Sequence, residues 1–159
     1  QAGSQPNVED AEERFSKRKI DRSCDVPKGG KPINERILNP LEIPADVRIY
    51  RYAAHTGRMI VDEDTCPPEL VRKARNTIRE LNLNAPRLMR MRREAVMMLE
   101  DEIENALAAG EDMEEFLNVL AESFLLPDDN GNCQAFFSLI RWFLGPAAEN
   151  VLSKYGYAI

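Results

Sequence analysis

Few side chains in this chain of 159 residues have the type and spacing that chemistry needs. The single histidine, His55, falls at the tip of an expected hairpin. No Ser, Cys or acid stands beside it at a motif spacing, so it reads as an exposed turn residue and not as a catalytic base. Cys24, Cys66 and Cys133 are isolated from one another, which excludes both a disulfide framework and a tetrahedral zinc site. Lys28-Gly29-Gly30-Lys31 lacks the glycine spacing and the preceding strand of a phosphate loop. The turn at 128–132 resembles half of a calcium loop, but no glutamate follows to close the site, so a solvated turn is expected. The run Glu100, Asp101, Glu102 and Glu104 has no histidine beside it and reads as a solvated helix face. Met89, Met91, Met97 and Met98 read as core and interface filler, and Cys133 as a buried small hydrophobe opening an apolar helix. No catalytic, cofactor-binding or metal-binding residue is assigned, no cofactor is expected, and the chain is not expected to be an enzyme.

The arginines remain. Arg72, Arg75 and Arg79 share one helical stripe and Arg87, Arg90 and Arg93 another, with Arg48 and Arg51 just before them. Such stripes can grip phosphates, or they can pair bidentately with carboxylates across a subunit contact. The charge distribution favours the second use. The chain's net charge of -6 divides into -1 over residues 1–46, +6 over 47–93 and -11 over 94–159. No stacking surface accompanies the arginines, and the acidic remainder repels a polyanion. The expected partner-binding residues are therefore Arg48, Arg51, Arg72, Arg75, Arg79, Arg90 and Arg93, with the aromatic side chains Trp142, Tyr155 and Tyr157.

The elements that must position these residues follow from pattern. Residues 1–46 are polar, carry Gly29-Gly30 and are punctuated by Pro6, Pro27, Pro32, Pro40 and Pro44. They read as an extended arm that buries too little apolar surface to fold alone and lies along a partner, with at most a short helix around 10–19. No signal peptide or transit-like presequence is visible. A first residue other than Met fits either trimming of an organellar presequence or a sequence that begins part-way. From Val47 an alternating aromatic and β-branched run predicts a strand, with Val47, Ile49 and Arg51 on one face and Arg48, Tyr50 and Tyr52 on the other. Thr56-Gly57 supplies the turn and Met59-Ile60-Val61 the return.

Four helical stretches and a short fifth follow. Thr65 is expected to cap the first, opened by Pro67 and Pro68, with Leu70, Ala74, Thr77, Ile78 and Leu81 inward. Asn84 is expected to cap the second, opened by Pro86 and stopped by Gly110, with Leu88, Met91, Ala95, Met98, Leu99, Ile103, Ala106 and Leu107 inward. Asp112 begins the third, with Phe116, Leu117, Leu120 and Phe124 inward, and Pro127 follows its end. The fourth, 133–144, is apolar enough to be central. Gly145-Pro146 breaks it before a short helix to about Lys154 and an aromatic tail. No stretch is apolar and long enough to span a bilayer.

Two of these stretches resemble a known family. Val47-Arg48-Ile49-Tyr50-Arg51-Tyr52, Arg58-Met59-Ile60-Val61-Asp62 and Cys66-Pro67-Pro68 resemble the opening strand, turn, strand and helix of the iron–sulphur subunit of succinate dehydrogenase. Phe143-Leu144-Gly145-Pro146-Ala147-Ala148 is similar to the Leu-Gly-Pro-Ala step of that family's helical domain, in the same chain order. Together the pieces cover roughly a third of the chain. The family needs close-spaced cysteines for its clusters, and three isolated cysteines cannot supply them, so no cluster ligand carries over. The resemblance implies a cluster-free relative seated in a mitochondrial respiratory assembly of the complex II kind.

The expectation is thus a mainly α chain: an extended arm over residues 1–46, then one short β-hairpin and a bundle of four to five helices over 47–159. Its expected role is that of a non-catalytic structural or accessory subunit of a large multiprotein assembly. It would bind neighbouring subunits through arm and tail, on the soluble side of a mitochondrial inner-membrane complex and without a transmembrane segment of its own. The alternative is a nucleic-acid-binding protein, a nucleocapsid or organellar ribosome component, using the Arg72–Arg93 cluster.

Overall fold

The computed structural model describes Ile20, Ser23, Gly30, Pro32, Ile33, residues 36–39, Ile43, 47–128 and 131–157. The expected helix around 10–19, Cys24 and the last two residues of the tail lie outside these. The described part contains a two-stranded antiparallel hairpin, β1 (Tyr50–Ala53) and β2 (Arg58–Val61). Five helices follow: α1 (Pro68–Glu80), α2 (Pro86–Ala109), α3 (Met113–Leu125), α4 (Phe137–Leu144) and α5 (Pro146–Lys154). The mainly α architecture expected from the pattern is the one observed. None of the described residues before Val47 lies in an α-helix or a strand.

Strand register is Tyr50↔Val61, Arg51↔Ile60, Tyr52↔Met59 and Ala53↔Arg58. Side chains alternate across a strand, so Tyr50, Tyr52, Met59 and Val61 share one face and Arg51, Ala53, Arg58 and Ile60 the other. The strand starts at Tyr50, three residues later than Val47, although Val47 and Ile49 still pack inward. A lone hairpin is marginal in water; this one is held by the face of Tyr50, Tyr52, Met59 and Val61, which packs into the apolar clusters. Its tip presses on α2: Gly57 has φ +67°, and a Cβ there would stand 2.0 Å from the Met89 carbonyl oxygen. Only glycine fits both the backbone conformation and the approach.

Three apolar clusters divide the interior. Leu99 of α2, Leu120, Ala121 and Leu125 of α3, Ile140 and Leu144 of α4, and Ala148, Val151 and Leu152 of α5 form the largest. Leu38, Ile49, Val61, Cys66 and Ala74 join the arm, the hairpin and α1. Tyr52, Val96 and Leu139 stitch the hairpin to α2 and α4. Fully burying one such aliphatic side chain is worth about 1.5–3 kcal/mol, and Ile33, Leu99, Leu125, Leu139 and Leu152 are all essentially inaccessible.

Several local expectations meet competing partners. Asp112 caps α3 as expected, accepting the Glu114 and Glu115 backbone N–H groups, and Gly110 closes α2 in the left-handed conformation. Thr65 does not cap α1; its hydroxyl donates to the Arg48 carbonyl at 2.8 Å. Asn84 does not cap α2; both ends of its amide bond Met59. On α2, Met98 and Leu107 face solvent, and the buried stripe is Arg92, Val96, Leu99 and Ala106. The fourth helix begins at Phe137, not at Cys133, because Phe136 sits at φ +63° and cannot continue a helix backward. Cys133 therefore lies exposed in the connection, which corrects its reading as a buried hydrophobe.

Candidate interaction surface

The expected partner-binding residues fall into three groups. Arg48, Trp142 and the unforeseen Arg141 and Glu149 form the first, where the strand entry meets α4 and α5. The Arg141 guanidinium donates to both Glu149 carboxylate oxygens, Nε–Oε1 2.9 Å and Nη2–Oε2 2.8 Å, and Arg48 pairs with the same carboxylate. Those bonds, the Arg141 pair foremost, hold the Glu149 carboxyl below the usual glutamate range. Trp142 is half-buried and meets the Tyr52 ring edge-on, centroids 5.8 Å apart at 61°. Arg48 and Trp142 thus lie at the partly exposed junction between hairpin and helices.

Arg92, which the pattern did not single out, completes that junction. It is 5% exposed, donates through Nη1 to the Gly57 carbonyl at 3.3 Å, and stands 5.8 Å from the centroid of the Tyr52 ring. Burial pushes its guanidinium pKa down and the Tyr52 phenol up. A backbone carbonyl and an aromatic face stand in for a carboxylate, since no ion pair to it forms among the described residues. Its signal in the sequence was helical spacing to Val96 and Leu99, hidden by membership of an arginine-rich run.

The second group surrounds α1 and the outer hairpin face. Arg75 pairs with Glu63, and Arg79 bonds Glu80 and Asn76. Arg51, Arg58, Arg72, Arg87, Arg90 and Arg93 are exposed and form no ion pair with other described residues. Arg51, Arg58 and Arg75 line one cleft of about 380 Å³, together with Met59, Ile60 and Val61 of β2, Glu63, Ile78 and Asn84. The expected stripes are real as surface features, but Arg90 and Arg93 on α2 lie outside this cleft.

The third group is the tail. Tyr155 and Tyr157 are 45% and 48% exposed, with Lys154 Nζ 5.0 Å from the Tyr155 ring centroid. Lys154 also bonds Glu122 of α3 at 2.7 Å, so the end of α5 is tied down while the aromatic rings beyond it stay open.

No family model matches the chain, and no curated protein matches it. What the surface can do is then a question of its own chemistry. Among the described residues no three His, Cys, Asp or Glu side chains gather where they could hold a metal ion, and no helix is long and apolar enough to cross a membrane. Cys66 is buried, and burial followed by the charges of Glu69, Asp62 and Glu63 pushes its thiol pKa up, away from thiolate chemistry. Exposed arginines and tyrosines are the side chains most often found to anchor protein contacts.

The arm is the last of the expected docking elements. Its described part is seated on α1 of the same chain. Ile33 and Leu38 are buried, the Leu38 N–H donates to Thr77 Oγ1 at 2.9 Å, and Asn76 Nδ2 donates to the Arg36 carbonyl at 3.2 Å. Further back, Asn82 Nδ2 donates to the Ile20 carbonyl at 3.0 Å. For these residues the surface that the arm needs is its own helix.

Proposed function

We propose that this chain is a non-catalytic structural subunit of a larger protein assembly, docking through Arg51 and Arg58 of the hairpin, Arg72 of α1, Arg90 and Arg93 of α2 and the tyrosines that follow α5. The observation that supports this reading is the set of exposed Arg51, Arg58, Arg72, Arg90 and Arg93 side chains without ion-pair partners among the described residues, together with exposed Tyr155 and Tyr157. Arginine and tyrosine dominate the energetic centres of protein interfaces because each combines apolar area with directional polar contacts. On the resemblance of the two stretches described above, the assembly is a mitochondrial respiratory complex of the complex II kind. The test is tagged co-purification under native conditions followed by mass spectrometry. Recovery of respiratory subunits in fixed stoichiometry supports the reading; recovery of the chain alone contradicts it.

The alternative, binding of nucleic acid through the same cluster, is kept by one observation: Arg72, on α1, and Arg87, Arg90 and Arg93, on α2, are all exposed and free of carboxylates among the described residues. Salt-dependent binding of a generic RNA oligonucleotide, lost when Arg72, Arg75, Arg90 and Arg93 are neutralised, would favour it.

A further inference from the structure

We propose that the cleft between the outer hairpin face and α1 seats an acidic segment of a partner protein, whose carboxylates are taken by Arg51 and Arg58. This deepens the docking reading above and rests on it. Register places the two arginines diagonally on one face of the hairpin, Arg51 opposite Ile60 and Arg58 opposite Ala53. Diagonal neighbours on one face are about 7–8 Å apart, within reach of long side chains, and like charges so placed repel. No described carboxylate forms an ion pair with either of them. A pair of incoming carboxylates relieves that repulsion.

The cleft already holds one carboxylate of its own. Glu63 bonds the third guanidinium, Arg75, at the α1 wall. The lining is therefore suited to the Arg–carboxylate fork, with two of its three forks open. Ile60, on the same hairpin face as the two arginines, and Ile78 of α1 add apolar lining, which suits aliphatic side chains between acidic ones. Recognition is by side chains and not by adding a strand at Met59, because the Met59 N–H and carbonyl are both bonded by the Asn84 amide. A phosphate polymer is the poorer fit, since Glu63 stands in the cleft and would repel a continuous run of charge, whereas spaced carboxylates leave room for it.

The experiment is fluorescence anisotropy with the full chain and a short fluorescein-labelled peptide rich in glutamate with interspersed leucine. The peptide is expected to bind, more weakly as salt rises, and the Arg51→Gln/Arg58→Gln variant is expected to bind it about tenfold more weakly or worse. Arg36→Gln/Arg87→Gln, with the same change in net charge at two exposed positions outside the cleft, is expected to bind as the unmodified chain does. Both variants alter exposed side chains, and unchanged thermal unfolding verifies that they fold. Equal weakening in the two variants overturns the proposal in favour of diffuse attraction. Full displacement of the peptide by millimolar inorganic phosphate, or tighter binding of an RNA oligonucleotide at the same arginines, overturns it in favour of a phosphate site. If the peptide fails to bind while the chain is still recovered in a large assembly, the cleft is refuted and the docking reading stands.

Discussion

Asn84 bonds Met59 at both ends of its side-chain amide: the Met59 N–H donates to Oδ1 at 2.8 Å, and Nδ2 donates to the Met59 carbonyl at 2.8 Å. One side chain, sitting just before α2, thereby mimics a strand against the open edge of β2. It fixes the hairpin relative to the α1–α2 connection and occupies edge groups that another chain could pair with. Asn84→Ala removes two hydrogen bonds and should cost about 1–3 kcal/mol, read by thermal or denaturant unfolding. Asn84→Asp keeps the acceptor for the Met59 N–H but sets a carboxylate against the Met59 carbonyl. Its stability deficit should shrink as pH falls and the introduced carboxyl protonates and donates. An Asn84→Asp variant equally destabilised at all pH values would show that the amide does not act this way.

Gly57→Ala should be among the most damaging small changes in the chain. The added Cβ meets the Met89 carbonyl oxygen at 2.0 Å and the Arg93 backbone nitrogen at 2.9 Å, in a left-handed conformation that alanine resists. Backbone strain and overpacking each cost about 1–3 kcal/mol, which corresponds to a fall in Tm on the order of 5 °C or more for a chain of this size. Gly110→Ala has a similar φ of +74° but open space around it. It should lose only the conformational part, about 1–2 kcal/mol. Equal losses at the two positions would mean that the hairpin tip does not press on α2.

Arg92 and Tyr52 should be energetically coupled. Replacing Arg92 by Ala removes the bond to the Gly57 carbonyl, the contact with the Tyr52 ring and buried stem volume together, so a double-mutant cycle with Tyr52→Leu is needed to isolate the ring contact. A coupling of about 0.5–2 kcal/mol is expected, measured by chemical denaturation of the four proteins. Arg92→Lys should not rescue, because an ammonium cannot spread its charge over the ring and reach Gly57 at once.

Acid should weaken the junction of α4 and α5 through Glu149. Folding lowers that carboxyl's pKa from the ordinary value of 4.5, chiefly through the Arg141 hydrogen bonds. The folded state then takes up the proton less readily than the unfolded chain. The pair therefore stabilises fully above the ordinary glutamate range, and the contribution disappears as pH drops through the lowered folded value. Glu149→Gln should cost roughly 1–2 kcal/mol near neutrality after allowing for solvent screening. It should also flatten the acid limb of the stability curve, while a limb identical to that of the unmodified chain would contradict the assignment.

Periodicity and punctuation were enough for the order of elements. Gly110 and Asp112 act locally, within a turn of the residues they bond, and both do what their chemistry predicts. Thr65 and Asn84 have the same capping chemistry, yet each is claimed by a backbone group distant in sequence, Arg48 or Met59. A side chain with two possible partners is decided by tertiary proximity, which spacing along the chain does not encode. The same holds for Arg92: spacing puts it on the stripe of Val96 and Leu99, but its partners, the Tyr52 ring and the Gly57 carbonyl, come from the hairpin. The surface was half legible. Exposure of the two arginine stripes followed from charge, whereas the convergence of Arg51, Arg58 and Arg75 on one cleft depends on strand register and on where α1 lies against β2.

The measurement that bears most directly on the structural-subunit proposal is the native mass of the untagged chain in a gentle extract of its source, followed by antibody on blue-native gels or by gradient sedimentation. The chain is expected to run almost entirely with a large, discrete assembly and to shift toward free protein when Arg51, Arg58, Tyr155 and Tyr157 are replaced together. Migration of the unmodified chain at its own mass of 18.1 kDa, unaffected by those replacements, would contradict the proposal.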